Sequence, residues 1–159
     1  MGTGPDTAGR ILEQSAEELR RIWRLARAAS RTGVFPGMLD GVVASFFACA
    51  GRTLSAGGEP ADAWRTASGT VRFSARLGAA ELTAEWAVAM EVLAAVCESF
   101  GAEPAVAEWL ARAVADGERA TAGLPAGALP PSMLAVRVLG DMPPPRRVLR
   151  ASVEADDEE

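Results

Sequence analysis

Between residues 82 and 100, Leu82, Trp86, Ala89, Met90, Leu93, Val96, Cys97 and Phe100 recur at steps of three and four. A helix turning about 100° per residue gathers them on one side, whereas a strand would scatter them over two faces. The stretch 79–100 is the clearest of several with this period, and none shows the β-branched alternation of a strand. The expected fold class is therefore all-α: a compact bundle of five main helices, with a short sixth at 131–140 and a flexible C-terminal tail. Alanine supplies much of the 49% apolar content and is the best helix former. With 159 residues the chain can bury one real core.

The other helices follow from the same spacing and from their stops. The first is expected over about 7–32, with Asp6 as N-cap and Gly33 as terminator. Ser15-Ala-Glu-Glu18 offers an alternative start as a capping box. The second covers 37–55 after Pro36 and ends at Gly57-Gly58. The third runs from "GEPADAW" to near Gly78, and the fifth opens with "AEPAVAEW" and reaches about 122. These two openings resemble one another at an offset of 44 residues, and shared helix-start chemistry explains the likeness better than a repeat does. Residues 1–142 are expected to form one helical domain, and 143–159, "PPPRRVLRASVEADDEE", a disordered tail.

Missing residue types exclude whole chemistries. There is no His, Lys, Tyr or Asn. A His-based triad, a Schiff-base lysine, a tyrosine acid and a His-ligated metal are ruled out. No phosphate-cradling glycine loop is present either. Glu81 and Glu85, and Glu91 with Glu98, lie off the apolar side of their helix and are expected on a solvated surface, not at a metal. No catalytic, cofactor or metal site is expected, so the protein is not expected to be an enzyme; an enzyme working with paired carboxylates is the residual option. All basic residues are Arg, which fits a GC-rich, bacterial genome. Cys49 and Cys97 sit in apolar runs as reduced core thiols. No signal peptide or span of bilayer length is evident, and the expected location is cytoplasmic, with no membrane partner.

Charge is segmented along the chain. Residues 1–32 carry net +2, 33–78 +1, 79–123 −6, 124–150 +3 and 151–159 −5. Arg20, Arg24, Arg27 and Arg31 fall within about 60° on one helical stripe, and Arg65, Arg72 and Arg76 repeat the spacing on the third helix. A solvated or internally paired stripe is the favoured reading, with the acidic 79–100 helix and the "EADDEE" end as natural partners. The alternative is docking of an acidic protein surface. Phe73 and Leu77 point away from the narrow apolar face of their helix, as a central helix or a self-association contact would require. Arg146, Arg147 and Leu149 form a motif-like segment after Pro143–Pro145. A net charge of −5 and no helix-turn-helix argue against nucleic acid.

The expected function is a non-catalytic protein–protein interaction module: an adaptor, assembly subunit or regulator, including self-association as a homodimer. The rival is a small-molecule-binding domain with a pocket lined by Trp64, Trp86, Phe47 and Met90.

Overall fold

A computed structural model describes residues 2–30, 39–67 and 79–122 of the chain. Six helices lie among them: α1 (Pro5–Gln14), α2 (Ala16–Ala29), α3 (Val43–Ser55), α4 (Pro60–Thr66), α5 (Ala79–Ser99) and α6 (Pro104–Ala122). No strand occurs among the described residues, so the all-α bundle is established. None of these helices is long and apolar enough to cross a membrane. The expected sixth helix at 131–140, the boundary at 142 and the tail lie outside the described residues.

Helix starts follow proline chemistry. α1, α4 and α6 each begin on a proline, where a missing N–H costs nothing. The shared Glu-Pro-Ala openings thus produce two helices of unlike length, 7 residues in α4 and 19 in α6.

Several boundaries differ from expectation. The first helix is two, because Ser15 adopts φ −96° and ψ 6°, off the helical basin. Its amide still bonds the Ile11 carbonyl at 3.0 Å and its carbonyl accepts from Leu19 at 2.8 Å, so the break is a kink. The capping-box alternative places this boundary correctly, yet the Ser15 side chain makes no capping bond. Gly4, not Asp6, is the N-cap of α1; Asp6 sits in the first turn and pairs with Arg10. The second helix starts at Val43, later than expected, after turns over 39–42. α4 stops at Thr66, and Ala67 is extended at ψ 140°.

α3 is the hub, packing against α1, α2, α4 and α6. Its contact with α1 is unusually close because Gly9 and Gly51 face each other. A Cβ on Gly51 would lie 2.6 Å from the Glu13 amide nitrogen, and one on Gly9 would lie 2.7 Å from that of Ser55. Alanine at either position would force the two backbones apart. The α5–α6 turn is closed by a Schellman motif: Ala102 N–H donates to Cys97 O at 2.9 Å and Gly101 N–H to Glu98 O at 3.1 Å. Gly101 takes φ 64° there, a conformation that strains any residue with a Cβ. The N-terminal segment is clipped onto this turn. Thr3 N–H donates to Gly101 O at 2.7 Å, and Glu103 N–H donates back to Thr3 O at 3.0 Å. The Thr3 hydroxyl adds a bond to Phe100 O at 2.8 Å.

The four tryptophans stand one on each of α2, α4, α5 and α6, and all are buried. Phe46, Trp86 and Trp64 form an edge-to-face chain with centroids 4.9 and 5.9 Å apart. Gly117 of α6 leaves the space that the Trp86 ring fills, and the Trp86 indole N–H donates to Thr121 Oγ1 at 2.9 Å. Cys49 and Cys97 are free and buried.

Candidate functional site

The arginine stripe of α2 closes against the fold. Arg24 holds the Asp40 carboxylate with two bonds, Nε to Oδ1 at 2.5 Å and Nη2 to Oδ2 at 2.8 Å. This bidentate hold raises the Arg24 guanidinium pKa above its ordinary value. Arg20 Nε donates to the Asp40 carbonyl at 3.2 Å, and its guanidinium also stands 3.6 Å from Glu17. One turn further on, Arg27 is buried. Its Nε donates to Glu85 Oε1 at 3.1 Å across the α2–α5 contact, with side-chain exposures of 5% and 1%.

Three further contacts fix that pair. The Leu39 amide donates to Glu85 Oε2 at 2.7 Å, and the Trp23 indole N–H donates to the Glu85 carbonyl at 3.2 Å. The Arg27 guanidinium lies 5.8 Å from the Trp23 ring centroid, within cation–π range. Residues 39 and 40 are thus gripped by Arg20 and Arg24 of α2 and by the Glu85 carboxylate of α5, which Arg27 holds in turn. The arrangement positions the start of the 39–42 turn. It leaves the Glu85 carboxylate no face toward solvent, so it is poorly suited to general acid–base work.

Glu85 corrects the expectation that it belongs to a solvated acidic surface. It lies three residues after Leu82 and four before Ala89, inside an arc that also buries Val88 and Val92. Arg65 of the second arginine row is exposed and pairs with Asp62 at 3.0 Å. Arg31, Arg72, Arg76, Phe73, Leu77, Arg146, Arg147 and Leu149 lie outside the described residues. Among the described residues no group of His, Cys, Asp or Glu is placed to hold a metal ion.

Of the expected pocket residues, Trp86 and Met90 border a shallow depression between α5 and α6. Trp64, Trp86 and Phe47 are buried core, and Trp64 and Trp86 stack edge to face. A separate concavity lies elsewhere: a cleft of about 470 Å³ where the starts of α1, α4 and α6 converge. Pro5, Asp6, Ser55, Glu59, Trp109 and the exposed Arg112 border it. The Trp109 indole N–H is already given to Gly58 O at 3.0 Å, so that ring can offer only apolar contact.

A second surface emerges on the opposite side of α6. α5 is apolar around most of its circumference, a pattern of helices covered on every side. Among the described residues one face stays open. Two shallow depressions follow the seam between the antiparallel α5 and α6. One is bordered by Ala94, Glu98 and Ala107, and the other by Thr83, Ala87, Met90, Ala111, Ala115 and Glu118. Together they make a groove about 22 Å long at 1.5 Å per residue. Its floor is apolar and mostly alanine, so a second backbone can approach closely. The five alanines named are solvent-exposed. Glu98 and Glu118 stand at its edges, and neither is in an ion pair among the described residues. The two arginines of this stretch face other duties: Arg119 pairs with Asp116, and Arg112 borders the cleft. Sequence reasoning assigned α5 and α6 their inward faces and overlooked this outer one. The run of alanines at 107, 111 and 115 was the available signal.

The chain matches no protein-family model, and no curated protein and no solved structure shows significant similarity to it.

Proposed function

We propose that this protein is a non-catalytic helical module that works by protein–protein contact, and that its docking surface is the α5–α6 groove. The observation that carries this reading is the groove itself: exposed alanines flanked by Glu98 and Glu118, on a helix whose composition calls for a cover. The chemistry selects an apolar helical or extended segment that also bears arginine or lysine. An acidic partner suits the α2 stripe less well, because Arg24 and Arg27 are already held by Asp40 and Glu85.

The test is Ala111→Glu on the groove floor. Position 111 is exposed, so folding should survive. Quantitative capture from a cell extract should lose the proteins that the unmodified chain retains. Capture that is unchanged by Ala111→Glu and by Ala87→Glu sinks the proposal.

The cleft beside Trp109 supports a second reading, because its size is within the range of small-molecule sites. It predicts that a metabolite screen finds a compound raising the melting temperature and shifting Trp109 emission, with both effects reduced in Arg112→Ala.

A further inference from the structure

We propose that the α5–α6 groove is occupied in the intact chain by the chain's own basic, apolar segment, residues 131–150, which acts as a tethered competitor of outside partners. The inference rests on the reading of the groove as a docking surface and adds how that surface is regulated. Residues 131–150 lie outside the described residues; the case for them comes from charge, composition and reach.

Charge is the first observation. Residues 79–123 carry net −6, and 124–150 carry net +3 through Arg137, Arg146, Arg147 and Arg150 against Asp141. The groove's edge acids, Glu98 and Glu118, have no ion-pair partner among the described residues, nor do Glu91, Glu103 and Glu108 of the same hairpin, so the acids at the groove are open to those arginines. A second copy of the same face would bring Glu against Glu, which argues against a symmetric dimer through it.

Composition is the second. The segment contains "MLAVRVL" at 133–139, an apolar stretch with one arginine inside it, matched to an apolar floor with acidic edges. The last nine residues hold five acids and are repelled by the same edges, which leaves 131–150 as the fitting part.

Reach is the third. α6 ends at Ala122, one turn past Glu118 and therefore at one end of the groove. Eight residues, 123–130, separate Ala122 from Pro131. Extended, they span at most about 30 Å, more than the groove's own length. A tether this short gives an effective concentration in the millimolar range, enough for weak contacts to occupy the site.

The experiment uses the full chain with Ser132→Cys carrying a nitroxide, and reads amide signals by NMR. Cys49 and Cys97 are buried at 6% and 5% exposure, and burial pushes the Cys97 thiol pKa up, so the introduced cysteine takes the label selectively. Amides of Ala87, Met90, Ala111 and Ala115 should lose more than half their intensity. The loss should persist on dilution with unlabelled protein, and should disappear in the chain that also carries Glu98→Arg and Glu118→Arg. Full intensity along the groove overturns the proposal, as does broadening that dilutes away, since that is exchange between chains. Adding a synthetic peptide of residues 131–150 then separates the two readings. Groove signals that move with the peptide but show no internal broadening keep the docking surface and remove its self-occupancy. Groove signals that do neither remove both.

Discussion

Helix α2 and the α5–α6 hairpin each carry a row of like charges, and the fold treats them in opposite ways. On α2, Arg20, Arg24 and Arg27 are drawn against Asp40 and Glu85, the first two half-buried and Arg27 almost sealed. On the hairpin, Glu98 and Glu118 border an open apolar groove. A charge row is thus no indicator of a docking face by itself; what decides is whether another element of the same chain reaches it first. Leu25, 58% exposed on α2, is a single apolar side chain and makes no comparable surface.

The sharpest way to break this comparison is to remove the acid that closes the α2 row. Glu85→Ala takes a buried carboxylate from both the Arg27 guanidinium and the Leu39 amide, and should lower unfolding free energy by roughly 3–5 kcal/mol in urea denaturation. Adding Arg27→Met should recover part of that loss, because no buried charge then needs a counter-charge. A cost under about 1 kcal/mol for Glu85→Ala would mean that α2 is not held to α5 by this pair.

Asp40→Ala should cost about 1 kcal/mol, less than the hydrogen-bond count suggests, since Arg24 is 39% exposed and solvent screens its half of the pair. On the hairpin the expectation inverts. Glu98→Arg with Glu118→Arg should change stability by no more than about 0.5 kcal/mol, and should weaken binding of the 131–150 peptide at least about tenfold. A large loss of stability there would make the two surfaces alike.

The smallest effect is at Glu18, whose pKa is lowered below its ordinary value by the hydrogen bond from Arg21, at 2.8 Å from Nε. A carboxylate with a lowered folded-state pKa stabilises the fold above its unfolded pKa, and the contribution fades as pH falls through the folded value. Glu18→Gln should therefore melt slightly below the unmodified chain at about pH 7, with the gap narrowing as the solution is made acid. A gap that widens in acid would reverse the sign.

Helix identity was legible because the apolar spacing is local: α5 and α6 lie within a residue or two of where their periods put them. The kink at Ser15 was not legible from periodicity, since Ala8, Leu12, Ala16, Leu19 and Trp23 continue one apolar row across it. The Arg27–Glu85 pair was half legible. Arg27 has no acid in reach on its own helix, and the acidic helix was the natural place to find one. Which acid it would be depended on how α2 crosses α5, a tertiary fact that spacing along one helix does not contain. The groove was missed because exposed alanine looks the same in sequence as buried alanine. Alanine supports a helix in both settings, and only packing separates them.

The clip between Thr3 and the Gly101–Glu103 turn has a consequence in time. Its two ends lie about a hundred residues apart in sequence, so the contact cannot form while a nascent chain is short. At about 5–20 residues per second, the segment around Thr3 waits roughly 5–20 s on the ribosome before the turn that receives it has been made. α1 can meet α3 long before then through Gly9 and Gly51. The residues around Thr3 are therefore among the last of the described ones to find their place, and their docking reports that the hairpin has closed.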